Sequence, residues 1–128
     1  MFNGRSRSTQ SLGAAAEARA LAYLKGQGLT LVQRNYRVAR GPYARGGEID
    51  LILRDGDVVV FVEVKKSRSF DAALLAIGPA QRRRIVLAAT EFLGDMAAGQ
   101  LTEARVDLAM VNDFGAVRIM ENAFGEGD

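Results

Sequence analysis

Aliphatic residues fill most positions of the run IDLILRDGDVVVFVEV, from Ile49 to Val64, and only the polar stretch 54–57 divides them. Valine and isoleucine in such density favour strands, and Asp55-Gly56 at the centre suits a tight hairpin turn. The expectation is a β-hairpin with strands over residues 48–54 and 57–65 and a type I′ turn at Asp55-Gly56. A symmetric turn there sets Leu53 opposite Val58, Asp50 opposite Phe61 and Glu48 opposite Glu63. Side chains alternate along a strand. Glu48, Asp50, Phe61, Glu63 and Lys65 therefore share one face. Ile49, Leu51, Leu53, Val58, Val60, Val62 and Val64 share the other, which is wholly apolar and must be core.

In that register Asp50 and Glu63 are diagonal neighbours, roughly 7–8 Å apart along the backbones. Carboxylates this close repel unless a cation compensates them. Lys65 supplies one positive charge, and a divalent metal would neutralise the remainder. The rival reading is a solvated sheet face, which also carries Glu and Lys in alternation. Two details weigh against it. Phe61 and Ile52 lie on the charged face, so that face is not purely solvated. Glu17 also interrupts an apolar helical arc made with Gly13, Ala20, Leu21 and Leu24, where a carboxylate is costly to bury alone.

Composition narrows the chemistry further. The chain of 128 residues contains neither cysteine nor histidine. Disulfides, zinc sites built on Cys or His, Ser-His-Asp triads and histidine bases are therefore excluded. Acid–base work falls to Asp, Glu, Lys, Tyr, water, or a metal held by oxygen ligands, for which Mg²⁺ or Mn²⁺ is suited. The net charge of +2 and pI near 9.3 give a mild basic bias, compatible with nucleic acid. Glu17 and Arg19 break the apolar stretch SLGAAAEARALAYL, so it reads as neither a signal segment nor a membrane span. A cytoplasmic protein without membrane association is the expectation.

The remaining elements follow from periodicity and punctuation. Residues 1–10 read as a loose N-terminal segment, residues 11–124 as a single domain and 125–128 as a tail. Ser11 is the expected cap of a first helix ending near Gly26 or Gly28, with Leu12, Ala16, Ala20, Tyr23 and Leu24 as its apolar stripe. Residues 30–38 read as a strand, 39–47 as a Gly/Pro-containing loop, and 66–78 as an irregular connection. Pro79 opens a second amphipathic helix. ARVDLAMV and AVRIMEN read as strands around the turn NDFG. The resulting order is α-β-β-β-α-β-β, an α/β fold with a mixed sheet flanked by helices.

With Glu-Ile-Asp followed by Glu-Val-Lys, the chain resembles the PD-(D/E)XK nuclease superfamily, and GEIDL…FVEVK after a helical Glu is similar to archaeal Holliday-junction resolvases. More fully, it resembles the bacterial YraN family of uncharacterised endonuclease-like proteins. That likeness runs from LGAAAEARALAYLKGQG through QRNYR, GGEIDLILRDGDVVVFVEVKKSR and QRRRIVLAA to RVDLAMV and NAF, nearly all of residues 12–124. The resemblance implies a restriction-endonuclease-like core and hydrolysis of nucleic-acid phosphodiesters, of DNA above all, with branched or damaged DNA as candidate substrates. A non-cleaving nucleic-acid-binding or DNA-processing adaptor on the same fold is the alternative. By matching position, Glu17, Asp50, Glu63 and Lys65 would be catalytic. Asp50, Glu63 and the main-chain carbonyl of Val64 would hold Mg²⁺ or Mn²⁺. Lys66, Arg68, Arg82, Arg83 and Arg45 would contact nucleic acid. Gln81 stands where the resemblance leads one to expect a lysine. Resolvases make paired cuts as dimers, so a homodimer is implied as well.

Overall fold

The hairpin forms, and its turn is set by glycine. Gly56 has φ of +61° and occupies the first central position of a two-residue Gly56-Asp57 turn, because Asp55 pairs with Val58. A glycine there is the arrangement of a type II′ turn. The register therefore differs by two residues from a turn centred on Asp55-Gly56: Ile52, rather than Asp50, faces Phe61, and Leu53 faces Val60 rather than Val58. The strands are Gly47–Asp55 (β2) and Val58–Lys66 (β3).

This computed structural model describes residues 4–39, 46–96 and 102–123, with the side chains of the first helix from Gly13 onward. Around the hairpin stand α1 (Gly4–Gly26), β1 (Thr30–Val38), α2 (Phe70–Leu75), α3 (Pro79–Gly94), β4 (Ala104–Val111) and β5 (Val117–Met120). The strands form one sheet in sequential order, antiparallel except where β3 pairs with β4 in parallel. The crossover that a parallel pair needs is supplied by α2 and α3. Among the described residues no helix is long and apolar enough to cross a membrane.

Two expectations about helices are corrected. The first helix starts at Gly4 rather than at Ser11. No proline stands between them, and Arg5, Arg7 and Gln10 are compatible with helix. The stretch expected to be irregular contains α2, because the Ser69 side chain accepts a 3.1 Å hydrogen bond from the Ala72 amide and caps a short turn of helix.

Each face of the sheet is covered. Ala16, Ala20, Leu21 and Leu24 of α1 pack on Leu51, Leu53, Val60, Val62, Ala109 and Val111. Ile85, Ala88 and Ala89 of α3 pack on Ile49, Ile52, Val59 and Phe61. Phe92 meets the rings of Phe61 and Tyr36 edge-on, with centroids 5.8 and 5.3 Å away. Ala73 of α2 covers Leu108 and Met110. Ile49 thus belongs to the α3 side, not with Leu51 as strict alternation required. Ile49 and Ile52 are three residues apart yet share a cluster, so the alternation of β2 slips at Asp50. Gly47 lies directly on α3, where a Cβ would collide with the Arg84 carbonyl and the Ala88 amide.

Candidate metal-dependent active site

The slip in β2 is what exposes Asp50 to its partners. The paired ladder between β2 and β3 ends at Leu51–Val62. Beyond it, the Val64 amide donates to Asp50 Oδ2 at 2.8 Å, so a side-chain carboxylate accepts a bond that a strand carbonyl would otherwise take. Asp50 is thereby fixed against β3, two residues past Val62. Continuing the same register by one step brings it opposite Glu63.

Glu63 follows Phe61 on the α3 side of β3 and is only 5% exposed. Burial, then the Asp50 charge and a side-chain interaction with Asp50, push its pKa up to about 9, while Lys65 pulls the other way. Lys65 Nζ stands 4.0 Å from Glu63 Oε2. A proton shared between two carboxylates is what such a pair holds when no stronger cation compensates it. The Gln81 side-chain amide, in the first turn of α3, donates to Glu63 Oε2. Pro79 at the start of α3 places Gln81 there.

Asp50, Glu63 and Lys65 therefore converge, as expected, although through a different register. The other two acids stand apart. Glu17, on α1, feels the Asp50 and Glu48 charges, with Arg34 and Arg37 opposing them. Its pKa is raised, chiefly by burial and then by Asp50. Glu48 bridges Arg84 Nη2 of α3 at 2.9 Å and Arg37 Nε of β1 at 3.7 Å, a tie between elements. Among the described residues no group of three or more acidic side chains is gathered closely enough to surround an ion alone. Two carboxylates nevertheless suit the expected metal. Mg²⁺ is commonly held through one or two carboxylates, with water and substrate phosphate completing its shell. The all-oxygen donors Asp50 and Glu63 fit that requirement, and the Val64 main chain adjoins them.

The basic residues divide by how they are engaged. Lys66 Nζ pairs with Asp113 at 3.0 Å. Arg82 Nη2 reaches the Ala123 carbonyl at 3.5 Å. Arg68 and Arg83 are exposed. Arg83 also lines, with Gly46, Ala80, Arg84 and Leu87, a cavity of about 180 Å³ beside the first turn of α3. Arg45 lies outside the described residues.

Sequence reasoning missed Gln81 as a partner of Glu63 and Arg84 as a partner of Glu48. No local pattern encodes either contact, which depends on how α3 crosses β2 and β3. The sole signal was that Gln81 stands where the family resemblance leads one to expect a lysine. Asp107 behaves as expected of a structural acid: buried at 1%, it accepts from Arg105 Nε at 3.1 Å and from the Asn122 amide at 2.9 Å.

Relatives carry the same chain nearly end to end. A UPF0102 protein of Ruegeria sp. strain TM1040 is 49% identical over 115 residues, covering 90% of this chain and 88% of its own. One of Ruegeria pomeroyi is 48% identical over 115 residues, covering 90% and 89%. One of Cupriavidus metallidurans is 44% identical over 123 residues, covering 94% and 85%. The model of the uncharacterised protein family UPF0102 matches residues 16–111, a span that includes Glu17, Asp50, Glu63, Lys65 and Gln81. The chain belongs to that family, the YraN family of the sequence resemblance.

Proposed function

We propose that the protein is a metal-dependent nuclease hydrolysing phosphodiesters of DNA, with branched or damaged DNA as its substrate class. The observation that carries this reading is the pairing of half-buried Asp50 with buried Glu63, whose Oε2 has Lys65 Nζ 4.0 Å away. Two acids and an ammonium group in one partly buried cluster are poorly explained as a stabilising device, because the acids oppose each other. They are well suited to hold Mg²⁺ or Mn²⁺ beside a phosphate.

When bound, the ion supplies Lewis acidity and a water of lowered pKa. Asp50 and Glu63 hold it. Gln81 fixes the rotamer of Glu63, and the Val64 amide fixes Asp50. Lys65 is a fixed cation that neutralises charge accumulating on the phosphate, the preorganised stabilisation that contributes most in a partly dehydrated site. Arg83 and Arg68, both exposed, supply phosphate contacts.

The test is cleavage of linear, flapped and four-way DNA by pure protein with Mg²⁺ or Mn²⁺. Wild type cuts at least one substrate only when metal is present, and Glu63→Ala and Lys65→Ala do not. If all three proteins give the same background on every substrate, this reading is wrong. DNA binding that survives Glu63→Ala without cleavage by wild type would indicate the adaptor instead.

A further inference from the structure

The β4–β5 turn carries a phenylalanine ring that the core does not use. Phe114 is 94% exposed, the most exposed of the large apolar residues described. Single apolar residues on a surface need no explanation in themselves. This one differs in how firmly its backbone is held and in where it stands.

Asn112 Oδ1 accepts from the amides of Phe114 and Ala116, both at 3.0 Å. The Asn112 amide reaches the Ala116 carbonyl at 3.1 Å, and the Gly115 amide reaches the Asn112 carbonyl at 3.0 Å. From α1, Arg19 Nε donates to the Gly115 carbonyl at 2.7 Å. Gly115 has φ of +80°, and a Cβ there would approach Arg19 Nε to 3.4 Å. The turn is thus tied to itself and to the opposite layer, so the ring projects from a fixed base.

That base stands at the same end of the sheet as the candidate active site. Lys66, at the end of β3, pairs with Val111 in the sheet register, and Lys66 Nζ bonds Asp113 Oδ1 at 3.0 Å. Phe114 is the next residue. It therefore sits at the end of the sheet reached by Glu63 and Lys65. Two cations, Lys66 and Arg19, flank the turn against one acid, Asp113.

A rigid aromatic face beside cations, at the same end of the sheet as the proposed phosphodiesterase centre, matches one ligand chemistry. The ring stacks on a base whose flanking phosphates the cations attract. In an intact duplex both faces of each internal base are covered by neighbours, so the ring has no base to meet. We propose that Phe114 is a stacking platform for an unpaired nucleobase, and that it biases the protein toward single-stranded, flapped or branched DNA. This deepens the function proposed above and depends on it.

The experiment measures fluorescence anisotropy of labelled single-stranded, flapped and fully paired DNA of equal length, in EDTA so that nothing is cut. The proteins are the full-length wild type, Phe114→Ala and Phe114→Trp. Wild type favours the two substrates with unpaired bases. Phe114→Ala loses roughly tenfold on those two, the scale of one stacked base, and leaves the duplex unchanged. Phe114→Trp restores the preference. Equal affinities for wild type and Phe114→Ala on all three DNAs, or an equal loss on the duplex, overturn the proposal while leaving the nuclease reading intact. If wild type shows no salt-dependent binding to any of the three, both readings fall. An unchanged melting temperature for Phe114→Ala shows that any loss of binding comes from the ring.

Discussion

Two buried acids on adjacent strands have opposite surroundings. Asp107 on β4 pairs with Val62, and Glu63, the next residue of β3, pairs with Leu108. Both carboxyl groups are held above their ordinary pKa, first of all by burial. Around Asp107 the next-largest influences favour the charge, the Asn122 amide and then the Arg105 guanidinium, with Glu121 a weaker opponent. Arg105 extends the arrangement to Asp55 at 3.7 Å. Around Glu63 the second-largest influence is another acid, and Lys65 Nζ stands 4.0 Å away. Asp107 is complete within the chain. Glu63 instead faces a second acid, and its proposed metal-binding role rests on that difference.

The largest effect that would test this contrast is on cleavage. Glu63→Ala should reduce metal-dependent DNA cleavage to background, and Lys65→Ala should lower it by about 10²–10³-fold, as loss of one charge-stabilising donor does. Asp107→Asn, by contrast, should leave the cleavage rate of the folded protein within about threefold of wild type, since this acid touches none of the proposed machinery. A comparable loss in Asp107→Asn, with the fold intact, would erase the distinction.

The second effect concerns pH. Glu63 titrates near 9 in the folded protein and near 4.5 when unfolded. Between these values the folded state holds a proton that the unfolded state releases. Metal-free stability should therefore fall as pH rises from 5 to 9, with a slope of at most about 1.4 kcal/mol per pH unit. Urea unfolding of wild type and Glu63→Gln across that range checks it: the variant removes the Glu63 share of the slope. Mn²⁺ should displace the same proton, so its affinity by calorimetry should rise with pH up to about 9.

Next comes stability at fixed pH. Asp107→Ala leaves the Asn122 amide and the half-buried Arg105 without their acceptor. It should cost about 2–3 kcal/mol in denaturant unfolding. Glu63→Gln should cost nothing at pH 8, or stabilise the metal-free protein, because it removes a buried acid opposed by its neighbour. The last effect falls on Gln81. Its loss leaves Glu63 in place but free to rotate, so Gln81→Ala should weaken Mn²⁺ binding by about 10–100-fold, the usual scale for a residue that orients a ligand. Unchanged Mn²⁺ affinity would reduce Gln81 to a packing residue.

Much of this contrast was legible in the chain. Strand placement, the enclosing helices and the convergence of Asp50, Glu63 and Lys65 follow from alternation and from turn residues, which are local. Pro79 marked the start of α3 for the same reason. The hairpin register did not follow, because Asp55-Gly56 and Gly56-Asp57 are both acceptable turns and choosing between them shifts every pair by two. The slip of β2 at Asp50 was hidden too. Ile49 is as apolar as Leu51, so nothing in its identity says which layer it joins. Gln81 and Arg84 act across the α3–sheet interface, at a separation in sequence where periodicity carries no information. The capped turn at Ser69 was visible as a serine, but six residues are too few to show a helical period.

Gly47 has a mechanical meaning that follows from its contact with α3. Elsewhere side chains separate helix from sheet and can adjust by changing rotamer. At Gly47 backbone rests on backbone, against the Arg84 carbonyl and the Ala88 amide. Arg84 grips Glu48, the neighbour of Gly47, and Asp50 follows two residues later. The acid-bearing end of β2 is therefore bolted to α3, whose first turn also carries Gln81 and Arg83. Any tilt of that helix under the pull of a bound polyanion would pass to Asp50 and Glu63 together, with little intervening slack to absorb it.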